Sequence, residues 1–248
     1  MRFASCQQGR YDGPRAPVVR LRERDGASDD FVASVHDLEL ACRAARALGI
    51  APANIHAFMC RTDLLPADFR GSRHLATRAE LSSVLQNLRP EDALFFVATN
   101  HGVPQGLLTS ERVDEFEEDD LTPRQLSPGE LRQMLDGREG AQILVIAACH
   151  AGIFLDLGGE KRTVIAACSA DETYRWEDKE RPCSPLLPEL FGAWTGTTFE
   201  GHPEPPRQPA LKAAFEATKV RLANGYEGHP TRTPLWSGEA IWPAPAKR

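Results

Sequence analysis

Three short runs constrain the fold of this 248-residue chain more than any other feature: ALFFVA (93–98), ILVIAA (143–148) and VIAAC (164–168). Each is apolar at every position, so a strand built from it needs cover on both faces. Strands of that kind belong to parallel sheets, and parallel neighbours are joined by long crossovers that are usually helices. The chain supplies them. SVHDLELACRAARALGI (34–50) sets Val35, Leu38, Cys42, Ala45 and Leu48 at three- and four-residue steps, ends at Gly49 and is followed by Pro52, the pattern of an amphipathic helix and its stop signals. NIHAFMC (54–60) reads as a strand, and ATRAELSSVLQNL (76–88) as a helix with Leu81, Val84, Leu85 and Leu88 inward. In SPGELRQMLDG (127–137), Ser127 with Glu130 three residues on is a capping-box start. A further helix is expected over about 210–222 and a short strand over Arg2–Cys6. The expected fold class is α/β, a mostly parallel sheet with helices on both faces, in one domain spanning 1–248. Its motif-bearing core lies at about 30–195, and a loop-rich part with one helix follows at 196–248.

Charge and composition narrow the function. A formal charge of −6 gives no support to a nucleic-acid role, which usually needs a basic face, and no run approaches the roughly 20 apolar residues that span a bilayer. MRFASCQQGRYDG lacks the apolar core of a secretory signal, so a cytoplasmic setting is expected. The six cysteines (Cys6, Cys42, Cys60, Cys149, Cys168 and Cys183) are scattered through a chain too large to need stapling and read as reduced thiols. With no CxxC and no HExxH, neither a metal nor a cofactor is expected. Seven acids stand against one arginine between Glu111 and Asp120. They read as a solvated surface loop, with a cleavage site or a decoy for a basic substrate as the other readings.

In open parallel sheets ligands bind beyond the carboxyl ends of the strands. Those ends carry Asn100-His101-Gly102, Cys149-His150-Ala151-Gly152 and Ser169-Ala170-Asp171-Glu172. A cysteine attacks a carbonyl as its thiolate, and a neighbouring imidazole makes that thiolate available near neutral pH. Two adjacent strands present such a pair naturally, so His101 and Cys149 are the candidate dyad. Gly102 has no side chain, and its N–H together with that of Cys149 could hold a developing oxyanion. His150 is adjacent to Cys149 but points elsewhere and reads as a rim residue. Cys168 reads as a core thiol. Cys183 falls in a loop, where an oxidisable surface thiol is one reading.

NHGVPQGLL, then a helix, then ILVIAACHAG, then TVIAACSADETYRWED resembles the legumain-type (asparaginyl endopeptidase) family of cysteine peptidases, in particular its bacterial members. SVHDLELACRAARALGIAPANIHAFMCRTD is similar to the helix and strand that precede the family's histidine, so the likeness covers about residues 30–195. The resemblance implies a caspase-like three-layer α/β/α sandwich, with Cys149 as nucleophile and His101 as general acid/base. The histidine-first order, roughly 50 residues ahead of the cysteine, is also that of caspases. Relatives often carry an acid two residues before the cysteine, where Ala147 stands, and an aspartate or other polar residue before the histidine, here Asn100. An asparagine that orients the histidine in some relatives has its nearest candidates in Gln7 and Gln8. After the fourth strand, relatives place residues that line the pocket for the side chain before the scissile bond. Asp171 there would favour a basic residue, whereas Arg175 resembles in place the caspase arginine that reads aspartate. Both remain open, with a lean towards Asp171.

The function expected is a cysteine endopeptidase that acts on a protein or peptide substrate. By analogy with caspase-like relatives it serves regulated proteolysis such as a bacterial defence or cell-death pathway, as a homodimer or with a regulatory partner. A transpeptidase or transamidase could use the same thioester, and a catalytically silent caspase-like module would keep the fold for interaction alone. A nucleotide-binding α/β protein is disfavoured, since neither GxGxxG nor GxxxxGK[ST] follows the first strands.

Overall fold

A computed structural model describes residues 29–59, 69–110, 125–174, 183–198, 205–208, 210–224 and 232–242. The expected strand at Arg2–Cys6, the acidic segment Glu111–Asp120, Arg175, Cys6, Cys60, Gln7 and Gln8 lie outside them.

The first helix, α1 (Asp29–Ala47), packs Leu38, Leu40, Ala41, Ala44 and Ala45 inward and leads to β1 (His56–Met59). β1 pairs in parallel with β2 (Ser72–Leu75), a strand the sequence pattern did not announce. Next comes α2 (Arg78–Gln86), where the Thr77 side chain accepts the Glu80 N–H at 3.2 Å. β3 (Leu94–Asn100) is followed by a small antiparallel sheet of β4 (Gly102–Val103), β5 (Gly106–Leu108) and β6 (Gln125–Leu126). The helix α3 (Pro128–Leu135) opens with the capping box foreseen at Ser127 and Glu130, both reciprocal bonds being present; such a cap contributes about 1 kcal/mol. An ion pair from Arg78 to Glu130 at 2.9 Å ties α2 to α3.

After α3 comes β7 (Gln142–Ala148), buried at all seven positions. A 3-10 turn at Ala151–Leu157 crosses to β8 (Arg162–Ala166), buried at all five. The central sheet runs β3–β7–β8 in parallel and ends in β9 (Leu235–Ser237), an antiparallel edge strand supplied by the C-terminal part. Complete burial on both faces is why these runs are apolar at every residue.

On one face of the sheet, Phe95 meets Phe191, Trp194 and Trp242 edge to face at 5.8–5.9 Å. Phe191 and Trp194 belong to α4 (Leu186–Thr195), which packs on α1 and on α5 (Leu211–Ala223). On the other face, Phe96 and Ala98 line an apolar cavity with Leu81 of α2 and with Leu107 and Leu126 of the small sheet. The layers are therefore helices, sheet, helices, with the sheet mostly parallel as expected. Among the described residues no helix is long and apolar enough to cross a membrane.

α4 has no counterpart among the expected elements, and one expectation needs correction. Cys183, placed in a loop with surface oxidation in view, is 1% exposed just before α4, because that apolar helix draws its entry segment into the core.

Candidate active site at the ends of β3 and β7

β3 and β7 run in register from Leu94 opposite Gln142 to Asn100 opposite Ala148. The next residues are His101 and Cys149, each one position past the last ladder pair, on neighbouring strands about 4.8 Å apart. Each chain then turns away. His101 is exposed, its carbonyl accepting the Leu108 N–H at 3.0 Å, and it opens the β4–β5 hairpin. Cys149 is half-buried and enters a tight turn. Gly102 lies against Cys149: a β-carbon on Gly102 would overlap the Cys149 carbonyl and come within 2.9 Å of its carbon. Glycine is thus required here for close packing, a reason separate from access to a substrate oxygen.

The turn after Cys149 is fixed by the turn after β8. His150 takes a left-handed backbone (φ 56°), uncommon for a residue with a β-carbon. Two bonds hold it there: its N–H donates to the Glu172 carbonyl at 2.8 Å, and its ring Nδ1 donates to the Ala170 carbonyl at 2.8 Å. Gly152 completes the fit, since a β-carbon on it would meet Ala170 N at 2.5 Å. The small residues of the Cys-His-Ala-Gly element therefore let two loops pack backbone to backbone.

The Cys149 thiol faces Tyr174. Its Sγ accepts the Tyr174 N–H at 3.2 Å and lies 3.3 Å from the Tyr174 carbonyl, to which a protonated thiol donates. Cys168, fully buried, sits beneath the same loops, its Sγ 3.4 Å from the carbonyl oxygens of both Ala148 and Glu172. Burial pushes its thiol pKa up, as suits the core role expected.

Asp171 and Glu172 are built into one turn around Ser169. The Ser169 hydroxyl approaches Asp171 Oδ1 at 2.7 Å and Glu172 Oε2 at 2.8 Å, and the Ser169 N–H donates to Glu172 Oε2 at 3.0 Å. The Ser169 hydroxyl bond holds the exposed Asp171 carboxyl below its usual range, helped by its own backbone N–H and the nearby His150. Arg232 brackets the loop, with Nη1 3.4 Å from Glu172 Oε1 and Nε donating to the Thr173 carbonyl at 3.3 Å.

Sequence reasoning missed a buried polar chain behind these loops. Asp37 of α1 is fully buried. It accepts the Thr99 hydroxyl from β3, and the Ser184 N–H at 2.8 Å. The Ser184 hydroxyl in turn bonds the Tyr174 hydroxyl at 2.9 Å, which also accepts the Leu186 N–H at 2.9 Å. Desolvation by burial raises the Asp37 pKa to about 7, against the lowering effect of its two hydrogen bonds. The available signal was an acid inside the apolar stripe of α1, one turn before Ala41.

These layers and this sheet define a caspase-like α/β fold. The solved structure of caspase-1 from Spodoptera frugiperda superposes with a TM-score of 0.59, covering 100% of this chain and 91% of that one at 11% identity. No protein-family model matches the chain, and neither does any curated protein sequence.

Proposed function

We propose that the protein is a cysteine endopeptidase in which Cys149 is the nucleophile and His101 the general acid/base. The observation that carries this reading is the β3–β7 register, which runs to the residue before each of the two. Support comes from burial: Cys42, Cys168 and Cys183 are buried, whereas Cys149 is half-buried at the carboxyl end of β7, where such folds bind ligands.

In the reaction, the Cys149 thiol gives its proton to His101 and the sulfur attacks the scissile carbonyl carbon. The N–H groups of Gly102 and Cys149 stabilise the oxyanion, at roughly 3–4 kcal/mol per donor. The C–N bond breaks as the His101 imidazolium protonates the leaving amine. Water, deprotonated by His101, then hydrolyses the thioester and restores the thiol. No metal or cofactor takes part. Asp171, at the loop beside Cys149, favours a basic residue before the scissile bond. Regulated cleavage of one protein target in the cytoplasm, by a bacterial legumain-like enzyme that works as a homodimer or with a regulatory partner, is the setting we infer. It rests on analogy of fold and motif.

The test is a peptide-library cleavage profile of the purified chain beside Cys149→Ala and Asp171→Ala. Cleavage after basic residues is expected, lost with Cys149→Ala and weakened with Asp171→Ala. Cleavage that survives Cys149→Ala would discard this nucleophile. An added amine that captures the acyl group would turn the reading to a transpeptidase, and no acyl-enzyme at all to an interaction module.

A further inference from the structure

A carboxyl group fully removed from water is costly unless its partners compensate. Asp37 stands in the apolar stripe of α1, where an aliphatic side chain would extend the row formed by Leu38, Leu40 and Ala41 at no such cost. Its two partners come from remote parts of the chain, Thr99 lying 62 residues away and Ser184 147 residues away. Each leads to one half of the dyad. Thr99 is two residues before His101, on the strand that delivers it. Ser184 holds the hydroxyl of Tyr174, whose backbone N–H and carbonyl meet the Cys149 sulfur.

We propose that Asp37 is a positioning residue: by gripping Thr99 and Ser184 together, it locks the strand end that carries His101 to the Tyr174 segment that seats the Cys149 thiol. The proposal deepens the peptidase reading and rests on His101 and Cys149 being the reacting pair. The physical case is one of rigidity. Thr99, Asp37, Ser184 and Tyr174 are all buried, so the chain of bonds cannot exchange with water, and displacement of one member moves the next. A reacting pair displaced by about 1 Å can lose on the order of 100-fold in rate.

The test reads alkylation of Cys149 by iodoacetamide in the full chain, followed on the Cys149 peptide by mass spectrometry, on protein shown folded by thermal unfolding. Asp37→Ala is expected to slow alkylation by about tenfold or more. Asp37→Asn is expected to remain within about threefold of wild type, because the amide keeps an acceptor for the Ser184 N–H and can donate to the Thr99 hydroxyl. Tyr174→Phe breaks the same chain at its other end. It is expected to slow alkylation about as much as Asp37→Ala, the double variant adding little, as members of one network behave. A folded Asp37→Ala protein that alkylates at the wild-type rate overturns the proposal, as do an Asp37→Asn rate equal to that of Asp37→Ala and effects that simply multiply. Should Asp37→Ala fail to fold, Tyr174→Phe decides alone, and a wild-type rate in it overturns the proposal. His101→Ala separates the two levels. If it leaves alkylation unchanged, the reacting pair falls and the role of Asp37 with it. If it slows alkylation while the Asp37 and Tyr174 variants do not, only the positioning role falls.

Discussion

Gly102 rests directly on the backbone carbonyl of Cys149, leaving no room for a β-carbon between the histidine-bearing hairpin and the cysteine-bearing turn. The His-Gly element is thereby a packing device. It brings one loop onto the other, backbone against backbone.

Gly102→Ala follows from that contact. Overpacking of this kind costs about 1–3 kcal/mol, and the displaced Cys149 backbone is expected to lower turnover by on the order of 100-fold. Thermal unfolding and kcat on a cleaved peptide measure the two effects. Unchanged kcat in a folded variant would remove Gly102 from the site.

The proposed mechanism gives His101 and His150 different roles. His150 is tied through its ring to the Ala170 carbonyl, so His150→Ala is expected to loosen the loop at about 1 kcal/mol. His101→Ala is expected to suppress modification of Cys149 by an acyl electrophile, in the general acid–base range of roughly 100-fold or more. Equal behaviour of the two variants would reverse the assignment.

The thiols sort by burial. Cys42 is pushed up to about 12 by desolvation, Cys168 is also raised, and Cys183 is enclosed before α4. Iodoacetamide at pH 8 is expected to label Cys149 ahead of these three in the native protein, and all four once the chain is unfolded. Native labelling of Cys183 at the Cys149 rate would contradict its burial.

Asp37 makes stability depend on pH. Burial pushes its carboxyl up to about 7 in the folded protein, against 3.8 for an ordinary aspartate. At pH below 3.8 both states are protonated and nothing is lost. As pH rises from there to about 7, the unfolded chain releases the proton first and stability falls, by on the order of 4 kcal/mol in total. Asp37→Asn has no such proton. Urea unfolding of both proteins between pH 4 and 7 is expected to show the variant gaining on wild type as pH rises, and a constant difference would refute the shift.

Local chemistry settled much of this protein. Unbroken apolar runs read as strands buried on both faces, and Leu94–Asn100, Gln142–Ala148 and Arg162–Ala166 are such strands. Ser127 and Glu130 close their cap through neighbours three residues apart, so it was legible in the chain. The polar residues at the strand ends were legible too. α4 was not, because its ten residues include Pro188 and Gly192, which read along the chain as breaks in a helix although the packed core holds the helix through them. The residue-by-residue register of β3 on β7, and the meeting of Asp37 with Thr99 and Ser184, had no signature along the chain. Those contacts join residues many tens of positions apart, and which of them meet is decided by how sheet and helices pack, an outcome that local periodicity does not encode.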